Sequence, residues 1–123
     1  MGDMTKNFSR HEFMCNDGSD IPSEYEDNLL KLVKNLQVLR DHIKTPLSIN
    51  SAYRSPDYNA KIGGAPRSKH MLAMAADLSS RLDPRYLAST IEQLIAEGKM
   101  DQGGIGIYST FVHYDVRDRK ARW

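Results

Sequence analysis

A chain of 123 residues has room for one compact domain, and 40% apolar with 27% charged residues places it among ordinary globular proteins rather than disordered ones. At this size folding should bury roughly two-thirds of the unfolded chain's surface. Seventeen Lys and Arg against sixteen Asp and Glu leave a formal charge of +1, too small a global field to argue for a nucleic-acid partner. One cysteine, Cys15, excludes an internal disulfide and the usual thiolate zinc sites, so any metal must be held by His and carboxylate.

The opening Met1 to Asn7 has no basic segment followed by an apolar one, and no window reaches the roughly 18 apolar residues of a membrane span. The expectation is therefore no signal peptide, synthesis in the cytoplasm, and any action elsewhere dependent on release by a partner or on a trimmed start. Ser23-Glu24-Tyr25-Glu26 reads as a capping box opening a helix over 24–43. Leu29, Leu32, Val33, Leu36, Arg40 and Ile43 recur at three- and four-residue steps to face a core. Lys31, Lys34, Asn35 and Asp41 are expected to face water, and Pro46 ends the run. His42, near the helix end, suits the dipole and needs no chemical role.

Leu47 to Tyr53 alternates as a short half-buried strand, interrupted by Ser55-Pro56. A short helix over 57–62 is broken by Gly63-Gly64-Ala65-Pro66, and Arg67 to His70 is expected to be loop. Asp83 as N-cap, Pro84 at the first helical position and Gly98 beyond the end predict a second long helix over 84–97. Residues 103–108 and 111–116 read as two strands or one kinked strand, with glycines permitting close backbone approach. These elements predict a single α+β domain over 1–123, a small antiparallel sheet packed against two long helices.

His70 and Asp77 are too far apart for adjacent helical turns and need a loop-to-strand geometry to meet. Strand alternation puts His113 and Asp115 on one face with Phe111. Each pair alone suits a surface turn or a solvated edge strand. Two His and one Asp together are the set of an open tetrahedral zinc site, three protein ligands and a water of pKa roughly 7. His11, Glu12 and Cys15 suit a solvated segment and a small buried side chain. The basic, aromatic ending Arg117 to Trp123 suits a docked tail, with contact to an anionic wall polymer as the alternative.

Ser68-x-His70 with Asp77, then Gly-Gly-Ile-Gly-Ile-Tyr at 103–108 and Phe-Val-His-Tyr-Asp-Val-Arg at 111–117, resembles the zinc D-alanyl-D-alanine carboxypeptidase and murein endopeptidase family. Short single-domain members of that family occur in bacterial and phage genomes. Ser51-Ala52-Tyr53-Arg54-Ser55 and the opening 7–13 extend the likeness to nearly the whole chain. The resemblance implies a hedgehog/DD-peptidase-like fold, one zinc per chain held by His70, Asp77 and His113, and Arg54 holding a substrate carboxylate or polarised carbonyl. A guanidinium suits that task because it stays charged and pairs with both carboxylate oxygens; pairing with Asp57 is the plainer alternative. Ser51 and Tyr108 are expected at the substrate, and Ser68 beside the His70 loop. The implied activity is hydrolysis of a peptide bond involving a D-amino acid in peptidoglycan, by a monomer acting on stem or cross-link peptides as a carboxypeptidase, endopeptidase or endolysin.

The chain also departs from the family. Many members carry Glu, Asp or His two or three residues before the strand histidine, where Phe111 and Thr110 stand here. Asp115 is then either the general base or a support orienting a ligand imidazole. A zinc-bearing binding domain without turnover, and a metal-free wall-binding module, are the alternatives.

Overall fold

The computed structural model describes residues 2–123. Helix α1 (Glu26–Ile43) is the one long helix, and α3 (Pro84–Ala96) is a shorter 13-residue one that packs on it. The predicted pair of long helices is thus corrected to one. Ser23 does not cap α1: residues Ser23–Tyr25 form a 3-10 turn without a side-chain cap, and Glu26 instead takes the Arg10 guanidinium at 2.8 Å. Of the predicted stripe, Leu29, Leu32, Val33 and Leu36 are buried, while Arg40 and Ile43 are only half-buried and Leu39 takes the core position beside them.

Asn35 corrects the predicted solvent face of α1, because it too is buried. Its Oδ1 accepts the Asp101 N–H at 2.7 Å, and its Nδ2 donates to Asp101 Oδ2 and the Lys31 carbonyl, both at 2.9 Å. Tyr114 Oη donates to the Asp101 carbonyl at 2.7 Å. The loop entering the sheet is thereby tied to α1 and to a core strand, with its buried polar groups satisfied.

Five strands follow in the spatial order β1-β2-β4-β3-β5: β1 (Ser48–Ser51), β2 (Ala75–Ser79), β4 (Val112–Asp115), β3 (Gly104–Ile107) and β5 (Ala121–Arg122). The first four pair antiparallel as predicted, whereas β5 runs parallel to β3. Residues 103–116 therefore make two strands, and the terminal segment docks on the sheet. Strand β2 was not legible as such. Ala75, Ala76, Asp77 and Leu78 are all buried, so the alternation that marks a half-exposed strand is missing.

Short helix α2 (Pro56–Lys61) follows β1, with Ser55 Oγ accepting the Tyr58 N–H at 3.2 Å. Lys69–Leu72, expected as the exit of a loop, is a 3-10 turn capped by Ser68. Asp83 caps α3 by accepting the Arg85 N–H at 2.8 Å, and Gly98 takes the left-handed conformation beyond its end. Helix α3 packs on β3 and β4, and Asp77 of β2 and His113 of β4 line a cleft. Among the described residues no helix is long and apolar enough to cross a membrane.

Candidate metal centre

Sheet register assembles the centre. Ser51 pairs with Asp77, Asp77 with His113, and His113 with Gly106, so four strands place these residues in one row. His70 joins from outside the sheet, and two bonds hold it to the end of β1. Its Nδ1 lies 2.7 Å from the Ala52 carbonyl, and its own carbonyl accepts the Arg54 N–H at 3.0 Å. Ser68 Oγ accepts the His70 N–H at 3.2 Å, the place beside the loop that the resemblance implied.

His70 Nε2 and His113 Nδ1 converge on Asp77 Oδ1 at 3.2 and 3.3 Å. The three side chains are buried, and one donor atom from each lies within 4.8 Å of the others, a group that could hold a metal ion. The remaining histidine nitrogens already have partners, His70 Nδ1 at Ala52 and His113 Nε2 at Asp115 Oδ2, 2.7 Å away. Such bonds fix the face each imidazole presents. Two imidazole nitrogens and one carboxylate oxygen match the chemistry of a zinc site, so the donor set fits the metal that the resemblance implies.

Burial works against charge on Asp77, yet hydrogen bonds from His113 and His70 outweigh it and hold the carboxyl well below the ordinary carboxylate range. Burial likewise opposes a charged His113, and the bonds to Asp115 and Asp77 raise its pKa above the ordinary imidazole value.

Asp115 lies beneath the centre with none of its surface exposed. Its Oδ1 accepts from Arg117 Nε at 2.8 Å and from the Gly104 and Arg117 amides at 3.0 and 3.1 Å. Its Oδ2 meets His113 Nε2 and Arg117 Nη2, both at 2.7 Å. Burial alone would raise this carboxyl's pKa, but His113 and Arg117 hold it well below the ordinary range. A Cβ on Gly104 would collide with the Asp115 carboxylate, which is why glycine stands opposite it.

Above the three donors opens a cleft of about 790 Å³. Arg54 and Tyr108 line it, whereas Ser51 and Asp115 do not. Arg54 does not pair with Asp57. Its Nη2 lies 3.2 Å from Asp77 Oδ2, its Nε donates to Ser51 Oγ at 3.2 Å, and its Nη1 reaches Asn59 Oδ1 at 3.4 Å. Ser51 thus touches Arg54 rather than the cleft.

Several residues in and behind the cleft wall had no assigned role in the sequence, Asn59 standing behind the wall and not lining the cleft. Asn59, buried, donates to the Ala65 carbonyl at 2.9 Å and shapes the Gly63-Gly64 wall; a Cβ on Gly64 would strike its amide. Lys69, Arg117, Arg119 and Trp123 also line the cleft, and the basic, aromatic tail was the one available signal for the last three. His11 and His42 are exposed, and Cys15 is a buried free thiol near Ser55.

No curated protein matches the chain. The family model described as Peptidase M15 matches residues 6–115, a stretch that runs from the N-terminal segment through the three side chains that could hold a metal to the last residue of β4. With nearly the whole domain matched, the chain belongs to the peptidase M15 family, the zinc D-alanyl-D-alanine carboxypeptidases and murein endopeptidases that its sequence resembles.

Proposed function

We propose that the protein is a zinc metallopeptidase that hydrolyses a peptide bond involving a D-amino acid in bacterial peptidoglycan. The observation carrying this reading is the convergence of His70, Asp77 and His113 beside Arg54 in one open cleft of an M15 chain. His70, Asp77 and His113 would hold zinc, one per chain. When bound, zinc supplies a water activated near neutral pH and a Lewis acid for the scissile carbonyl.

The remaining work falls to the chain. Arg54, already oriented by Asp77, Ser51 and Asn59, presents a fixed cation to a substrate carboxylate. Tyr108 accepts the Trp123 indole N–H at 2.7 Å, which leaves its own proton free to donate to substrate. Of the two roles open to Asp115, its burial and its bond to His113 support orienting the imidazole rather than taking a proton in the cleft. Arg67, Lys69 and Arg119 on the cleft walls favour a peptide with several carboxylates, as stem peptides have.

A second reading has one specific observation in its favour. Asp77 is the only carboxylate among the described residues lining the cleft, which suits a zinc-bearing binding domain without turnover. Zinc counted by elemental mass spectrometry on chelator-free protein, beside His113→Ala, followed by digestion of purified peptidoglycan with products weighed, separates the two. The expected result is about one zinc in the parent, far less in the variant, and released D-alanine or split cross-links that stop on chelation. Bound zinc with intact peptidoglycan leaves the binding domain; no zinc after reconstitution removes both.

A further inference from the structure

Trp123 is the chain's one tryptophan, and it is half exposed, so core packing does not account for its place. Its backbone is fixed as an extension of β5: its N–H donates to the Ile105 carbonyl at 3.1 Å and its carbonyl accepts from the Ile107 N–H at 2.9 Å. Arg122, one residue earlier, is clamped to Glu92 at 2.7 Å. The indole then packs against the His113 imidazole, its ring centroid 4.9 Å away and the planes inclined at 49°.

The space it occupies exists because position 106 is glycine. Gly106 stands opposite His113 in the sheet row, and a Cβ there would run into the indole at Nε1 and Cε2. Trp123 Nε1 donates to Tyr108 Oη at 2.7 Å, and the Arg117 guanidinium stacks on the ring at 5.2 Å from its centroid. Arg117 in turn holds Asp115, and Asp115 holds His113 Nε2. The contacts close a circuit: His113, Asp115, Arg117, Trp123 and back to His113.

Imidazole torsion about the bond to the ring is soft. A hydrogen bond at Nε2 fixes one edge of the His113 ring, and the indole packed against it, with the ring planes inclined at 49°, is what resists tilting away from Asp77. We propose that Trp123 is a positioning residue of the metal centre, holding the His113 imidazole against tilt through this circuit. Arg117 and Trp123 lie beyond the last residue of the family match, so the family assignment does not extend to them. The inference rests on the zinc reading of His113.

The test is zinc affinity, measured by competition with a chromophoric chelator well below the unfolding temperature, with circular dichroism establishing the fold. Trp123→Ala is expected to weaken zinc binding about 10- to 100-fold, the range for losing a group that orients a ligand. Gly106→Ala, which displaces the indole without altering it, is expected to do the same. Trp123→Phe keeps an aromatic ring packed against His113 and should stay within a few-fold of the parent. If Trp123→Ala does not fold, Gly106→Ala and Trp123→Phe carry the comparison.

A merely structural tryptophan would lower stability and leave the folded protein's affinity unchanged. Folded Trp123→Ala or Gly106→Ala with parental affinity therefore overturns the proposal and leaves the peptidase reading standing, whereas a parent that binds no zinc removes both. Because Trp123 is the sole tryptophan, zinc should also change the parent's indole emission in proportion to occupancy. Emission indifferent to bound zinc would place the indole off the ligand and overturn the proposal as well.

Discussion

His113 and Asp115 sit two residues apart on one strand, and everything in the centre turns on which of them meets the cleft. His113 lines it and Asp115 does not, since its carboxylate is enclosed by Arg117, the Gly104 amide and the imidazole. Asp115→Asn should therefore weaken zinc binding by about 10- to 100-fold, the cost of losing a ligand-orienting partner. Turnover per zinc-loaded chain should stay within a few-fold. A general base would give the opposite split, full zinc with collapsed turnover, and zinc counting beside single-turnover hydrolysis distinguishes them. The convergence of His70, Asp77 and His113 was suggested by the family resemblance and not by their spacing, since each pair taken alone suits a surface turn or a solvated edge strand. The direction Asp115 faces was not legible, because strand alternation assigns a face and cannot say what fills it. Nor was Asn59, a polar helix residue whose role depends on the following loop closing over it.

The C-terminal ends of the helices were legible, α1 stopping at Ile43 ahead of Pro46 and α3 just before Gly98, whereas the Ser23 capping signal misplaced the start of α1. Gly98 beyond α3 has φ +75 with open space where a Cβ would stand, so Gly98→Ala should cost about 1–2 kcal/mol from backbone strain alone. Lys44 holds the same left-handed position after α1, at φ 54, and is exposed. Lys44→Gly should relieve that strain of about 1–2 kcal/mol, less roughly 0.5–1 for glycine's unfolded-state freedom. A net gain of up to about 1.5 kcal/mol is expected, read from the denaturant midpoint. Strand β5 escaped the strand pattern because two residues carry no periodicity, and its hold on α3 is electrostatic. The Glu92 carboxyl is lowered first by its hydrogen bonds from Arg122, with burial opposing. A lowered folded-state pKa means that the contribution is present above the unfolded value of about 4.3 and lost as pH falls through the folded one. Nearly half of the Glu92 side chain is exposed, so the pair is worth at most about 1 kcal/mol. Glu92→Gln should cost that much near pH 7 and nothing near pH 2, by urea unfolding at the two pH values.

Across the whole molecule the charges nearly cancel, leaving a formal +1. Folding nevertheless sorts them. Arg54, Arg67, Lys69, Arg117 and Arg119 gather around one cleft where Asp77 is the only lining carboxylate among the described residues, because the end of β1, the His70 loop and the tail meet there. No sum over the sequence reveals this, since it depends on three segments more than a dozen residues apart. Arg54 and Arg117 are paired with Asp77 and Asp115, so the wall cations Arg67, Lys69 and Arg119 add the uncompensated charge that reaches beyond the Arg54 contact. They stand at the water boundary, where attraction is screened over a Debye length of about 8 Å at 0.15 M salt. KM for a stem peptide with free carboxylates should accordingly rise several-fold between about 0.02 and 0.5 M sodium chloride, with kcat little changed, because screening weakens encounter and not the chemistry. The same peptide with its side-chain carboxylates amidated should show a flatter dependence from a higher starting KM. Reversing the wall charge with Lys69→Glu and Arg119→Glu should flatten the first curve onto the second. Parallel salt curves for the charged and amidated peptides would mean that Arg54 alone reads the substrate's charge.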